Sequence, residues 1–289
     1  TITKRALTLG EVTAQTKTYD GTRAADTSKF RAALGNVVTG EENSVTATAA
    51  DASYNDKNVV QANAVSYTGV SLTGTGAGNY SIVNTAQGTG TIAKRTLTVG
   101  AVTAQTKTYD GTTAADAAAF RATLDNVVAG EESSVTATAT GAAYNDKTVA
   151  GANKVSYTGV ALQGTGAGNY SLAATTAEGV GTIAKRALTV GTVTAQTKTY
   201  DGTTAADAAE FQATLGNLVA GEESSVAATA MGAAYNDKNV AGANRIDYTG
   251  IALTGTGAAN YTVADTAQGA GTITKRALTL GEVTAQTKT

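Results

Sequence analysis

The sequence contains no cysteine, no histidine, no proline and no tryptophan. Without cysteine no disulfide can form, so packing and hydrogen bonds alone must hold each domain together. Without histidine and cysteine the chain also lacks the side chain that titrates near neutral pH and the thiol nucleophile, two common catalytic groups. We therefore expect no enzyme, no catalytic residue and no cofactor-binding residue.

Charge and long apolar runs are also scarce. The 289 residues carry 21 basic and 23 acidic side chains, a formal net charge of −2. Nucleic-acid binding needs clustered basic side chains, so we expect no nucleic-acid partner. A membrane-spanning helix needs roughly 20 consecutive apolar residues. No such run occurs, and we expect no membrane insertion by this segment.

The apolar residues that are present are mostly alanine and valine, and tyrosine is the main aromatic, with 12 Tyr against 3 Phe. Small side chains each bury little area, worth roughly 25 cal/mol per Å². We therefore expect thin cores, each anchored by a few tyrosines such as Tyr19, Tyr54, Tyr67 and Tyr80. The many threonines and 33 glycines favour strands and turns over helices.

Internal repetition organises the whole chain. The string VTAQTKTYDGT occurs at Val12–Thr22, Val102–Thr112 and Val193–Thr203, and Thr272–Thr289 repeats Thr1–Thr18 letter for letter. A period near 90 residues exceeds the roughly 20–45 residues of a solenoid repeat and suits a small domain with its own core. We predict domains at 1–90, 91–181 and 182–271, with the start of a fourth at 272–289.

The local patterns predict strands throughout each repeat. Val45, Ala47 and Ala49 alternate with threonines, the period of a half-buried strand, and turn signals recur at short intervals. No flexible linker separates the repeats. The strand-like Gly88–Gly100 instead runs from one repeat into the next, with a change of apolar face at Lys94–Arg95 that predicts a bend. We expect a mostly β chain of small domains placed end to end as an elongated rod. We also expect each repeat to have the neighbouring repeats of the same chain as its binding partners.

One segment of each repeat leaves two alternatives open. In Ala114–Val128 the apolar residues Phe120, Leu124, Val127 and Val128 have helical spacing, and the alanine content favours a short helix starting near an N-cap at Asp116. Phe120 and Leu124 also fit the alternation of a strand. The first alternative gives a β-grasp-like unit with one short helix, and the second gives a β-sandwich-like unit.

Three motifs in fixed order resemble a known family. KTYDGT is followed by GTGAGNYS at Gly74–Ser81 and by GTIAKRTLTV at Gly90–Val99, and this order recurs in every repeat. It resembles the YDG and MBG repeat families, which form arrays in large bacterial surface proteins such as filamentous haemagglutinin-like adhesins. The resemblance implies a surface-exposed or secreted, mostly β stalk or adhesive region without catalytic residues.

The polar residues that recur in turns are weak candidates for a site. Glutamate pairs such as Glu131–Glu132 follow glycine, as expected for a solvated loop rather than an acid–base pair. Calcium prefers six to eight oxygen ligands. Asp20, Asn55 and Asp56 offer such oxygens, but single acidic turns are explained by Asx turns without a metal. We therefore assign no metal site and keep these three residues as weak Ca²⁺ candidates.

An asparagine recurs in a glycosylation acceptor pattern. Asn79, Asn169 and Asn260 each stand in the pattern N-Y-[ST], once per repeat. Secreted adhesins of the kind that the sequence resembles include some that are glycosylated at such sites. The simpler interpretation, which we favour, is a turn-forming asparagine before a buried tyrosine.

Two functions remain open on the sequence alone. The first is a stalk of tandem domains that projects a binding region away from a bacterial cell, because near-identical repeats suit a spacer better than a unique pocket. The second is that each repeat weakly binds a host or biofilm glycan or surface, with avidity from many copies. In that case some tyrosines would form a sugar-stacking surface instead of a core.

Overall fold

The computed structural model describes residues 1–286, so the last three residues of the predicted fourth repeat, 287–289, lie outside the described residues. The predicted mostly β class is confirmed, because the three repeats are built from short strands. The first repeat contains β1 Arg5–Ala6, β2 Thr8–Val12, β3 Gln15–Thr18, β4 Ala32–Gly35, β5 Thr46–Thr48, β6 Asp51–Tyr54, β7 Ala64–Thr68, β8 Ser71–Thr73, β9 Tyr80–Ser81 and β10 Thr85–Ala93.

The same strands recur in the two later repeats. The second contains β11 Arg95–Val102, β12 Gln105–Thr108, β13 Ala122–Asp125, β14 Thr136–Thr138, β15 Gly141–Tyr144, β16 Lys154–Thr158, β17 Ala161–Gln163, β18 Tyr170–Leu172 and β19 Thr176–Ala184. The third contains β20 Arg186–Ala187, β21 Thr189–Val193, β22 Gln196–Thr199, β23 Ala213–Gly216, β24 Ala227–Thr229, β25 Gly232–Tyr235, β26 Arg245–Thr249, β27 Ala252–Thr254, β28 Tyr261–Thr262 and β29 Thr266–Thr274.

Each repeat has one four-stranded sheet, and its other strands form smaller sheets, which are pairs except for the three-stranded sheet β13-β11-β18 of the second repeat. The four-stranded sheet has the order β3-β10-β7-β6 in the first repeat, and the order recurs as β12-β19-β16-β15 and β22-β29-β26-β25. β10 runs parallel to β3 and antiparallel to β7. In the first repeat the shorter pairs are β1 with β9, β2 with β4 and β5 with β8. This arrangement corresponds to the sandwich-like alternative.

Alternation along the strands builds the core. On β6 and β7 the residues Ala52, Tyr54, Val65 and Tyr67 point inward and are buried, while their neighbours along the strands are more exposed. The amide of the buried Gln15 donates to the hydroxyl of Tyr67 at 2.7 Å, which satisfies a polar group inside the core. The prediction that tyrosines anchor a thin alanine and valine core is confirmed in the first repeat.

The predicted short helix is wrong. Asp116 does cap a turn, but that turn is a single 3-10 turn at Ala117–Ala119, and the chain leaves it at Phe120 with φ −57° and ψ 120°. The following residues form the strand Ala122–Asp125. The extended conformation at Phe120 lets its ring pack on Tyr157 at 4.7 Å, so burial of the ring outweighs the helix propensity of the alanines.

Within residues 1–286 the helical elements are six 3-10 turns of three residues each: Thr27–Lys29, Ala77–Asn79, Ala117–Ala119, Ala167–Asn169, Ala208–Glu210 and Ala258–Asn260. The β-grasp-like alternative, which needed a helix, therefore does not apply. No helix in the described range has the length and apolarity to cross a membrane.

The predicted bend between the first two repeats coincides with an interruption in the strands. β10 ends at Ala93 and β11 begins at Arg95, with Lys94 between them. By its contacts the chain divides into two compact units that do not follow the repeat boundaries. Among the described residues, one unit holds Thr1–Thr103, Asp116–Ala142 and Ser156–Gly179, and the other holds Ala104–Ala115, Ala143–Val155 and residues 180–286. Each unit therefore contains contacts between successive repeats.

Candidate functional site

Each of the weak calcium candidates has its Oδ1 engaged by protein donors. Asp20 Oδ1 accepts hydrogen bonds from Lys17 Nζ at 2.7 Å and from the Thr22 amide at 2.9 Å. Asn55 Oδ1 accepts from two backbone amides, and Asp56 Oδ1 accepts from the amide and side chain of Asn58. Within residues 1–286 no group of three or more carboxylates is close enough to hold a metal ion. Calcium binding at these residues stays an untested prediction.

The most elaborate polar cluster of the first compact unit lies where the first repeat meets the second. Tyr19, from the first repeat, donates its hydroxyl to Glu131 Oε1 at 2.7 Å, and Tyr170, from the second repeat, donates to Glu131 Oε2 at 2.6 Å. The two rings meet edge to face with centroids 5.3 Å apart and an interplanar angle of 81°. The amide of Val128 donates to the Tyr170 hydroxyl at 3.2 Å. We call this set of contacts the first joint.

The carboxylate at the centre of the first joint is stabilised in its charged form. Burial by itself would raise the pKa of Glu131, but the hydrogen bonds from Tyr170 and Tyr19 and the positive charge of Lys57 outweigh it and lower the pKa. Lys57 Nζ lies 3.6 Å from Glu131 Oε1, whose side chain is 17% exposed. Burial and the hydrogen bond to Glu131 raise the pKa of Tyr170 to about 12. Glu131 therefore stays ionised and Tyr170 stays protonated at neutral pH.

A glycine lets the two repeats approach closely. Gly21 has φ +78°, a conformation that favours glycine, and a Cβ placed on it would lie 3.0 Å from Cγ1 of Val128. Val128 comes from the second repeat and presses against the turn that follows Tyr19. The tyrosine and the glycine of the Tyr-Asp-Gly turn therefore contact the next repeat, while Asp20 between them holds Lys17 of its own repeat.

Asn169 makes two further hydrogen bonds across the first joint. Asn169 is 7% exposed, and its Oδ1 accepts a hydrogen bond from the Val59 amide of the first repeat at 2.9 Å. Its Nδ2 donates to Asn58 Oδ1 at 3.0 Å. Asn169 is one of the predicted glycosylation acceptors, but its amide nitrogen is engaged and buried in the fold. Any glycan at Asn169 would therefore have to be attached before the joint forms.

The second compact unit contains a second joint of the same design. Tyr109 and Tyr261 donate to Glu222 Oε1 and Oε2, each at 2.6 Å, and their rings are 5.3 Å apart at 82°. A Cβ on Gly111 would lie 2.9 Å from Cγ1 of Val219. The buried Asn260 accepts from the amide of a valine in the preceding repeat at 3.0 Å. The two tyrosines, the glutamate, the glycine, the valine and the asparagine thus make the same contacts at both joints, whereas Thr148 stands where the first joint has Asn58.

The family comparison matches each of the three repeats. The model of the YDG domain matches residues 3–88, 93–177 and 184–268. The chain belongs to the YDG-domain family. The tyrosine and glycine of the motif that names the family are thus the residues that join one YDG repeat to the next. No curated protein sequence matches the chain significantly.

Solved structures of tandem β domains resemble the chain loosely. The I9–I11 tandem of titin has 9% identity and a TM-score of 0.24, covering 93% of this chain and 100% of that one. Immunoglobulin domains 1–5 of Sidekick-1 have 9% identity, a TM-score of 0.30 and coverages of 93% and 58%. The human desmocollin-1 ectodomain has 8% identity, a TM-score of 0.30 and coverages of 94% and 61%. Such low TM-scores support no functional inference.

Among residues 1–286, the first and third YDG repeats each contain one half of a further joint whose other half does not lie within these residues. In the first repeat Tyr80 donates to Glu41 and the Val38 amide donates to Tyr80, as at the two joints, but Asn79 is exposed. In the third repeat Tyr200 is 37% exposed, whereas Tyr19 and its second-repeat equivalent are each 1% exposed. The glycosylation prediction therefore remains open in the folded chain at Asn79.

The joint residues were only partly recognisable in the sequence. Glu131 looked like part of a solvated loop and Asn169 like a turn former, because a repeat pattern does not tell contacts within one repeat from contacts with the next. The available signal was the spacing between the acid and the tyrosine after the recurring asparagine. That spacing is 39 residues both from Glu131 to Tyr170 and from Glu222 to Tyr261. A solvated loop has no need for an acid at a constant position.

Proposed function

We propose that these YDG repeats are structural spacers in a large bacterial surface or secreted adhesin, where they project a binding region away from the cell. The observation that supports this proposal is the recurrence of one hydrogen-bonded joint between successive repeats, built on Glu131 in one case and Glu222 in the other. The surface location and the adhesin context come from the resemblance to repeats of filamentous haemagglutinin-like proteins.

The joint geometry suits a spacer because opening a joint breaks several contacts at once. At the first joint these are the bond from Tyr19 to Glu131 and the two bonds that Asn169 makes. A hydrogen bond to a charged group contributes about 1.5–3 kcal/mol and a neutral one about 1 kcal/mol. The three bonds together amount to about 3.5–5 kcal/mol, which corresponds to an open joint in roughly one molecule in three hundred or fewer. Successive repeats would then keep a fixed orientation.

The alternative function, weak glycan binding by every repeat, needs exposed aromatic rings or a polar pocket. The four tyrosines of the first repeat, Tyr19, Tyr54, Tyr67 and Tyr80, are each at most 3% exposed, so they do not offer a stacking surface. Their burial favours the spacer role over glycan recognition by these rings.

A binding screen separates the two functions. The whole chain, immobilised at high density so that avidity can act, is tested against glycan arrays and extracellular-matrix proteins, with a lectin as positive control. The spacer proposal predicts no retention above a matched β-sandwich protein without glycan affinity. Reproducible retention that is competed by free glycan would contradict it and support the alternative.

A further inference from the structure

We propose that the third repeat binds an arginine side chain of a partner polypeptide, in a groove where the first two repeats hold an arginine of their own. The groove lies beside the 3-10 turn Ala208–Glu210 and the strand β23. This inference rests on a difference between the repeats and does not depend on the spacer role.

In the first two repeats an arginine folds back over the 3-10 turn. Arg31 Nη1 donates to the carbonyl oxygens of Ser28 at 2.9 Å and of Phe30 at 2.7 Å. Arg121 Nη1 makes the equivalent two bonds in the second repeat, at 2.9 Å and 2.7 Å. A guanidinium offers only donors and a backbone carbonyl only accepts, so two carbonyls that converge on one nitrogen form a site for this group.

The third repeat has a glutamine at this position. Gln212 stands where Arg31 and Arg121 stand in the other repeats. Its side chain is shorter and carries no charge. Within residues 1–286 no side chain donates to the carbonyls of Ala209 and Phe211, which are the equivalents of the pair that binds Arg121. The third repeat therefore keeps the two acceptors and lacks an arginine of its own to bind them.

The backbone of the turn is the same in both cases, so the acceptor pair keeps its geometry. The residue after the turn has φ −60° and ψ 119° at Phe30, and φ −64° and ψ 114° at Phe211. An aspartate side chain caps the turn in both repeats. A guanidinium from another polypeptide can therefore find the carbonyl directions that the first repeat offers to Arg31.

A groove of about 570 Å³ lies beside the two carbonyls. Its lining includes Phe211, Gln212, Leu215, Leu218, Glu223 and Val226. Leu215 and Leu218 are half-buried, so part of their apolar surface remains open to a ligand. The groove can therefore take the methylene stem of an arginine, together with an apolar side chain next to it in the partner.

The charges around the groove also favour a cation. Three equivalent positions change from a net positive to a net negative set between the first repeat and the third. They are Lys29, Arg31 and Glu42 in the first repeat, and Glu210, Gln212 and Glu223 in the third. An incoming arginine meets complementary charge. Arginine suits the site better than lysine because a guanidinium is more weakly hydrated than an ammonium group.

NMR titration of the isotope-labelled whole chain tests the proposal. The probe is a tripeptide with blocked ends and an arginine between two leucines. Two hydrogen bonds and a small apolar contact must offset the loss of freedom on binding, so we expect a Kd of about 1 mM. The amide signals of residues 209–212 are expected to shift. The same peptide with lysine in place of arginine should bind about threefold more weakly, or worse.

Two reciprocal variants make the test specific. Gln212→Arg supplies the internal guanidinium, and we expect it to weaken peptide binding by about tenfold or more. Arg121→Gln removes the internal guanidinium from the second repeat, and we expect it to add a second site whose signals, at residues 118–121, shift with the peptide. Each variant places in one repeat the residue that another repeat already has there, so both are expected to fold.

Any of four results would overturn the proposal. The first is no shift at residues 209–212 with the arginine peptide at about 10 mM, well above the expected Kd. The second is binding that Gln212→Arg leaves unchanged. The third is equal binding of the lysine and arginine peptides. The fourth is an Arg121→Gln chain whose second repeat gains no response to the peptide.

The outcome is separable from that of the spacer proposal. Retention of a matrix protein that Gln212→Arg abolishes would come from this groove and would support the present inference. Retention that free glycan competes away would contradict the spacer role and leave the peptide titration unaffected.

Discussion

Removing the hydroxyl of Tyr19 tests how much the hydrogen bond across the first joint stabilises the chain. Tyr19→Phe deletes the donor that binds Glu131 Oε1 at 2.7 Å but keeps the ring that packs on Tyr170. Glu131 retains its bond from Tyr170 and its ion pair with Lys57, so the carboxylate is not left without partners. The change therefore removes the bond from the Tyr19 hydroxyl to Glu131 together with the contact of that hydroxyl with the Asn169 side chain, both of which cross the joint.

The magnitude follows from the charge and burial of the acceptor. A hydrogen bond to a charged group contributes about 1.5–3 kcal/mol to the free energy of unfolding. The Glu131 side chain is only 17% exposed, so water compensates poorly for the lost donor. We expect Tyr19→Phe to cost about 1.5–3 kcal/mol, and to lower the Tm by roughly 3–10 °C.

The chain contains its own matched control. Tyr200 occupies the same motif position in the third repeat, but it is 37% exposed and its hydroxyl binds no described residue. Tyr200→Phe removes the same atom from the same local sequence, and we expect a change within about 0.5 kcal/mol. Both variants are compared with the wild type by urea and thermal unfolding at a dilute concentration, followed by circular dichroism.

The comparison has a clear failing outcome. Equal effects of Tyr19→Phe and Tyr200→Phe would show that the bond to Glu131 adds nothing to stability. The hydrogen bond across the joint would then contribute nothing to the free energy of unfolding. The proposal that the joint holds successive repeats in a fixed orientation would have to be abandoned.

Three further predictions concern the same joint. Gly21→Ala is expected to lower the free energy of unfolding, measured in urea, by about 1–3 kcal/mol more than Gly202→Ala does. Both glycines have positive φ, but of the two added Cβ atoms only the one at Gly21 would meet a neighbour, at 3.0 Å. Equal losses would contradict close packing at Gly21. Asn169→Ala is expected to cost about 1–3 kcal/mol, since it leaves the part-buried Val59 amide unpaired, whereas Asn79→Ala should change the free energy of unfolding by less than about 0.5 kcal/mol. A large effect at Asn79 would refute this assignment. Because the pKa of Glu131 is lowered in the folded chain, its contribution to stability is present above the ordinary carboxyl pKa of 4.5 and is lost as the pH falls through the lowered pKa. Glu131→Gln should therefore reduce the fall in Tm that acidification causes. An equal fall in Tm for the variant and the wild type would contradict this prediction.

Much of the fold could be predicted from the sequence because the relevant signals are local. Alternation at Val45 and Ala47 and the change of face at Lys94 depend only on neighbouring residues, and the structure has β5 at Thr46–Thr48 and a strand interruption at Lys94. The helix near Asp116 failed for a non-local reason. Phe120 packs on the ring of Tyr157, and burial of that ring requires the chain to become extended directly after one 3-10 turn.

The contacts of the joint could not be predicted from local sequence patterns. Tyr19 was predicted to be a core anchor, which its burial confirms, but its hydroxyl partner lies 112 residues away in the next repeat. A period of about 90 residues assigns the same environment to Tyr19 and Tyr200, although within residues 1–286 a following repeat is packed on Tyr19 and not on Tyr200. Only the three-dimensional structure shows which copy of a repeated glutamate each tyrosine binds.

Small-angle X-ray scattering of the whole chain, with and without calcium, tests the central claim that the joints make the repeats a stiff spacer. Three domains of roughly 40 Å placed end to end would give a length of about 120 Å and a radius of gyration of about 35 Å. A compact chain of this length would have a radius of gyration of about 19 Å. We predict the larger value, unchanged by calcium and measured at dilute concentration. A value near 19 Å would contradict the spacer role.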